Sequence, residues 1–224
     1  MVHGWPDLWF GWRNPIQALS SMMYRLIVPD VRGFGQSSTP QSVESYGAKN
    51  ICNVLIALLD ALEIAKAVFV GHDWGGHMVW RNCLYHPDRA IAVCGVCNTY
   101  DPPRKKYLPL WKRLSTSSTH CENFRKWVFD RLVSLLDTLM AVDSNVDHLM
   151  FTQRSTLLSE AELNYYIEQY SASKFFSTCQ TYATSKIEFQ NEQGLPSVIN
   201  HPALYIGAAK DEVLRPKMAK GMNA

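Results

Sequence analysis

Charge of one sign is scarce in this sequence. Lys and Arg number 22 against 20 Asp and Glu, a formal net charge of +2. That balance gives no basic footprint for nucleic acid, and the triplet Arg104-Lys105-Lys106 reads as a solvated loop. No uninterrupted apolar stretch approaches the roughly 20 residues of a membrane span, and no secretory signal pattern opens the chain. The final "KGMNA" matches no address signal. Disulfide-scaffold spacing is missing too: Cys52, Cys83, Cys94, Cys97, Cys121 and Cys179 are scattered, which points to a reducing, cytoplasmic compartment. The one C-x-x-C, Cys94 to Cys97, lies inside the apolar run "AIAVCGVC". A redox motif needs a strand-to-helix turn there, so these read as buried structural thiols. Metal-ligand spacing is lacking, since His72 and His77 stand five apart without a third ligand. "RGFGQSS" has neither the lysine nor the helix start of a phosphate loop. No metal and no cofactor is expected, and neither internal repeats nor low-complexity tracts occur.

What is present suits a globular core: 47% hydrophobic and 19% charged over 224 residues. "YRLIVPDVRGFGQSS" from Tyr24 predicts a buried strand feeding a loop. Ile51, Val54, Leu55, Leu58, Leu59 and Leu62 recur at helical spacing, so 43–63 is an amphipathic helix. "KAVFVGH" predicts a second buried strand, a short helix then runs to Pro87, and "AIAVCGVC" predicts a third. Strand alternating with helix predicts a parallel α/β sheet. From Thr99 to about Gln193 the strand character disappears. Phe124, Trp127, Val128, Leu132, Leu135, Leu136 and Leu139 form one helical stripe. Ser159 and Glu162 have capping-box spacing, opening a helix whose stripe is Leu163, Tyr166, Ile167 and Tyr170. "HPALYIGAAKDEV" then returns to strand and polar loop. The expected division is a first core part over 1–98, a helical cap over 99–195, and a second core part over 196–224.

At the end of the second strand stands Gly71-His72-Asp73-Trp74-Gly75-Gly76. This spacing fits a nucleophile elbow, in which a sharp strand-to-helix turn strains the central residue and small neighbours relieve the crowding. The helix that follows points its positive end at the site. On the hexapeptide alone a second reading stays open, in which Asp73 caps the helix.

"HGWPD" at His3, "DVRGFGQSS" at Asp30 and "GHDWGG" at Gly71 occur in that order. Together with "SEAELNYYIEQY" and "ALYIGAAKDEVLRPKMAKGM" they resemble the α/β-hydrolase superfamily, in particular its soluble epoxide hydrolases of fungal and plant-like type. The resemblance implies a mostly parallel sheet flanked by helices, with a helical cap. It implies Asp73 as nucleophile, attacking an epoxide carbon to give an ester. The backbone N–H groups of Trp5 and Trp74 would form the oxyanion hole, with His3, Gly4 and Pro6 shaping the first loop. Asp211 would be the triad acid. Tyr182 would be the cap tyrosine that protonates the alkoxide, and Trp74 and Tyr182 would also line the substrate site. The implied partners are a small apolar epoxide and water, while oligomeric state is not legible. His3 and His72 read as satisfied core or supporting histidines, and Tyr166 and Tyr170 as packing.

Three departures accompany the resemblance. No histidine follows Asp211, so the triad base is absent and low turnover is expected. Only Met1 and Val2 precede His3, so the strand that leads into "HGWPD" is expected to be missing and its neighbours' backbone groups left unpaired. "KRLSTSSTHCENFRKWVFDRLVSLLDTL" shows no second cap tyrosine, and Tyr107 does not take that role. Three readings follow: an epoxide hydrolase-family chain, incomplete as written; a haloalkane or haloacid dehalogenase using the same Asp; and a catalytically inactive α/β-hydrolase domain that binds a ligand or partner.

Overall fold

The computed structural model describes residues 1–110, 158–211, 214, 216–220 and 222. Three parallel strands lie in the order β1 (Ala67–His72), β2 (Ala90–Val96), β3 (Ala203–Ile206). Helices α1 (Arg13–Ser20), α2 (Ala48–Ala61) and α3 (Trp74–Tyr85) come from the first part of the chain. Helices α4 (Glu160–Thr178) and α5 (Ser185–Asn191) precede β3. Parallel pairing requires crossovers, and α3 supplies the one between β1 and β2.

One face of the sheet carries the core. Phe69 and Val93, paired in register, are buried with Ile51, Leu55, Leu59, Met78, Val79 and Trp80. On the other face, Val68, Leu204 and Ile206 are half-exposed among the described residues, so the expectation of fully buried strands holds on one side only. The α2 stripe is also rotated from its expected position. Ala48, Ile51, Cys52, Leu55, Ile56 and Leu59 are buried, while Val54 is exposed. Val54 lies at the edge of a stripe whose centre runs through Leu55, and helical rotation carries it out of the contact.

No strand forms at Tyr24, contrary to expectation, and residues 24–30 run without ladder pairing. Val2 makes an isolated parallel bridge to Gly71, donating to the Val70 carbonyl at 2.8 Å and accepting from His72 N–H at 3.1 Å. The Met1 ammonium donates to the Ile27 carbonyl at 2.6 Å. Met1 and Val2 thus satisfy part of the backbone expected to lack partners.

The capping box forms as expected: the Ser159 hydroxyl accepts from Glu162 N–H, and the Glu162 carboxylate accepts from Ser159 N–H. Of the stripe behind it, Tyr170 is buried against Phe34 and stacks on Phe175. Leu163 is exposed, a correction. The stripe finds partners from Tyr166 onward, where Phe10 and Asp7 come within reach. The stripe expected over Phe124–Leu139 lies outside the described residues. Cys94 and Cys97 are half-buried rather than buried, because they sit towards the open face and the end of β2. The five cysteines among the described residues are free thiols.

Candidate active site

Asp73 occupies the single residue between β1 and α3, with φ 53° and ψ −120°. A non-glycine residue in that region costs about 1–3 kcal/mol and persists only where its surroundings hold it. The glycines around it do the holding. A side chain on Gly71 would drive into the Gly75 carbonyl, and one on Gly75 into the carbonyls of Val2 and His3. One on Gly4 would strike Asp73 itself. Asp73 N–H is anchored to the Val96 carbonyl at 3.1 Å, and its carbonyl accepts from His77 N–H at 3.1 Å.

Its carboxylate does not cap α3. Trp5 N–H instead donates to Oδ1 at 2.9 Å, and Trp74 N–H is a second backbone donor to the same carboxyl. Burial raises the Asp73 carboxyl above the usual carboxylate range. The two N–H groups and the His72 imidazole oppose that shift, while the charge of Asp211 adds to it. The outcome is a half-buried carboxylate, with Trp5 N–H donating to it and Trp74 N–H beside it, held in a strained turn.

Tyr182, in the 3-10 turn Cys179–Ala183, comes over this carboxylate from the second part of the chain. Its ring meets Trp74 edge-on at 5.0 Å and Trp5 edge-on at 5.9 Å. Burial, reinforced by the Asp73 charge, pushes its phenol above the ordinary tyrosine range, with the Trp74 side chain opposing as a hydrogen-bond partner. The Trp5 indole N–H is engaged by Thr178 Oγ1 at 3.1 Å. Asp211 lies in the loop after β3, its Oδ1 accepting from Leu214 N–H at 2.7 Å, close enough for its charge to act on Asp73 and Cys97. The structure therefore gathers Trp5, Asp73, Trp74 and Tyr182, with Asp211 at the margin.

The supporting residues take the places their types suggest. His3 is buried, its Nδ1 donating to the Gly4 carbonyl at 2.8 Å and its Nε2 accepting from Val31 N–H at 2.9 Å. That pattern fixes a neutral tautomer, in accord with burial lowering its pKa. Pro6 is exposed at the outer edge of the same loop. His201 Nε2 donates to the Pro87 carbonyl at 2.8 Å, away from the elbow. Tyr107 meets Ser185 Oγ at 3.3 Å and the Phe189 ring, and belongs to the packing of α5.

One cluster near the site escaped the sequence reading. His77 and Arg81 on α3 face Glu188 of α5 and Glu192 at its C-cap. His77 Nε2 lies 3.3 Å from Glu188 Oε2, and Arg81 Nε donates to Glu192 Oε1 at 2.5 Å. His77, Glu188 and Glu192 bring three potential metal donors within 4.8 Å of one another, a grouping that their spacing along the chain does not reveal. Arg81 reaches both Glu192 oxygens, so the chain itself supplies the balancing positive charge at that carboxylate. The i, i+4 spacing of each pair was readable in the sequence, but nothing there said that the two pairs meet.

A family model described as "alpha/beta hydrolase fold" matches residues 1–224. The chain is 30% identical to the bifunctional epoxide hydrolase 2 of Rattus norvegicus over 246 residues, covering 99% of this chain and 44% of that protein. It is 28% identical over 255 residues to an epoxide hydrolase of Neurospora crassa, covering 99% and 75%. The chain thus spans less than half the length of its rat relative. Among solved structures, epoxide hydrolase A of Mycobacterium thermoresistibile superposes with a TM-score of 0.75 at 25% identity, over 96% of this chain and 77% of that one. An epoxide hydrolase of Vigna radiata superposes with a TM-score of 0.77 at 22% identity, over 99% and 76%. The similarity reaches mammalian, fungal, bacterial and plant proteins and is not confined to fungal and plant-like ones.

Proposed function

This chain belongs to the α/β-hydrolase fold family, and from that premise we propose that it is an epoxide hydrolase whose nucleophile is Asp73. The Asp73 carboxylate attacks an epoxide carbon, the C–O bond breaks toward oxygen, and Tyr182 gives that oxygen its proton. An alkyl ester on Asp73 results. Water then adds to the ester carbonyl, and the N–H groups of Trp5 and Trp74 stabilise the oxyanion that forms, releasing a vicinal diol. Asp211 is the acid that would orient a histidine base. Hydrolysis of the ester calls for such a base, and without one it is slow.

The observation that carries this reading is the convergence of two backbone N–H groups and one tyrosine on a strained, half-buried carboxylate. The Trp5 indole donor is taken up by Thr178, and the Trp74 ring is met edge-on by Tyr182 at 5.0 Å. A dehalogenase needs such donors free for halide, so this arrangement favours epoxides over haloalkanes. Substrates are small and apolar, in keeping with the aromatic walls of Trp5, Trp74 and Tyr182. The core is assigned to 1–98 and 196–224 and the cap to 99–195. The five free thiols among the described residues support a reducing, cytoplasmic setting.

The test is single-turnover incubation with an aryl epoxide, read by intact and peptide mass. An adduct of epoxide mass at Asp73, absent from Asp73→Asn, is expected. Halide release from a haloalkane without adduct from epoxide would select the dehalogenase reading. Ligand binding without either, in a folded sample, would select the inactive domain.

A further inference from the structure

Helix α3 is buried at ten successive positions, Gly75 to Leu84, and yet carries His77 and Arg81 in that stretch. Their partners Glu188 and Glu192 are likewise buried. Each pair is spaced i, i+4, so the two helical faces meet as a ladder of two rungs. An apolar contact here would bury as well and cost less desolvation. What charges add is register. Sliding α5 by one turn along α3, about 5.4 Å, would leave one anion and one cation buried without partners.

The ladder also closes a ring of contacts around the proposed reacting groups. Glu188 faces His77, His77 meets the Trp74 ring edge-on at 5.6 Å, and Trp74 meets Tyr182 at 5.0 Å. The return path runs through Thr184, buried directly after the Tyr182 turn. Its Oγ1 lies 2.7 Å from the Thr181 carbonyl and 3.0 Å from Glu188 Oε1, sharing one proton between them. Asp73 begins α3, and Tyr182 stands just before α5.

We propose that the His77/Arg81–Glu188/Glu192 ladder is a positioning device that docks α5 on α3 and thereby sets the gap between Asp73 and Tyr182 that the substrate spans. Its members touch neither substrate nor the reacting atoms. The inference rests on the roles given above to Asp73 and Tyr182, and its test separates the two.

Glu188→Gln is compared with the parent in the full chain, first without ligand, by hydrogen exchange of residues 179–192 and by nitration of Tyr182 with tetranitromethane. A loosened clamp raises both rates by about ten-fold or more, with exchange in α2 unchanged. Alkylation of Asp73 by an aryl epoxide is then followed against epoxide concentration. The saturating rate is expected to fall by about ten- to a hundred-fold, as misplacement near 1 Å does, while the half-saturating concentration moves less than about two-fold. His77→Gln/Glu188→Gln, a neutral hydrogen-bonded rung, should recover most of the loss. If Glu188→Gln does not fold, Glu192→Gln serves with the same readouts.

Unchanged exchange and nitration in a folded variant overturn the clamp, whatever the chemistry does. An unchanged saturating rate also overturns it. Increased exchange and nitration, with no alkylation even of the parent chain, would leave the clamp standing and remove the epoxide reading.

Discussion

The backbone N–H of Trp5 donates to Oδ1 of Asp73 at 2.9 Å, across a separation of 68 residues. With Trp74 N–H it gives a half-buried carboxylate two backbone donors before any substrate is present. In the proposed reaction the same two donors serve the ester oxyanion later, so the site needs little reorganisation between its two steps.

Burial nonetheless wins at Asp73, whose carboxyl is raised above its unfolded value. The stability this group contributes is fully present below the unfolded pKa and is lost as pH rises through the folded one. Asp73→Asn should therefore melt higher than the parent at pH 7–8. The gap should close as pH falls toward 4. Thermal melts of both chains across that range check it.

In the proposed reaction, ester formation requires Asp73 ionised and Tyr182 protonated. With the carboxyl and the phenol both raised, the alkylation rate should climb with pH through the Asp73 value. It should then stay level beyond pH 10, where an ordinary tyrosine has begun to ionise. Tyr182→Phe should cut the rate by about 10²–10⁴-fold without unfolding the chain. Stopped-time mass spectrometry across pH reads both effects.

Gly75 has no room for a methyl group, because the carbonyls of Val2 and His3 occupy that space. Gly75→Ala should destabilise by about 1–3 kcal/mol or more through overpacking and abolish adduct formation at Asp73. Gly194, where nothing lies within 4 Å of an added Cβ but φ is +84°, should lose only about 1 kcal/mol on change to Ala. Denaturant melts of the two variants side by side separate backbone crowding from backbone strain.

Glu188 is buried, yet the His77 and Arg81 charges and the Thr184 hydrogen bond outweigh desolvation and hold its pKa at about 2. Its unfolded value is 4.5, so its contribution is present above pH 4.5 and is lost as pH falls toward 2. Glu188→Gln should cost roughly 3–5 kcal/mol at neutral pH by leaving a buried partner unpaired. The deficit should shrink over that acid window, which urea melts at pH 7 and pH 3 would record.

Much of this was legible in the linear chain because it depends on near neighbours. The "AVFVGH" run followed by "DWGG" specified a strand, a turn and a helix, since apolar runs and glycines act locally. Ser159 and Glu162, three apart, formed their capping box for the same reason. Other features depended on what lay alongside. "YRLIV" has strand composition, but a strand needs a ladder partner, and residues 24–30 pair in no ladder among the described residues. Val68 and Leu204 look like core residues and are half-exposed, because no described element covers their face.

The sequence by itself determined the elbow, with its glycines and its Asp, because steric demand at one turn is written in six consecutive residues. The tertiary structure decided everything that needs two distant segments to meet. It showed that the Asp73 carboxyl faces Trp5 N–H rather than capping its helix, that Tyr182 comes over it, and that His77 and Arg81 meet Glu188 and Glu192 across 111 positions for each pair. Burial, charge pairing and hydrogen-bond direction are properties of neighbours in space, and spacing along the chain does not name them.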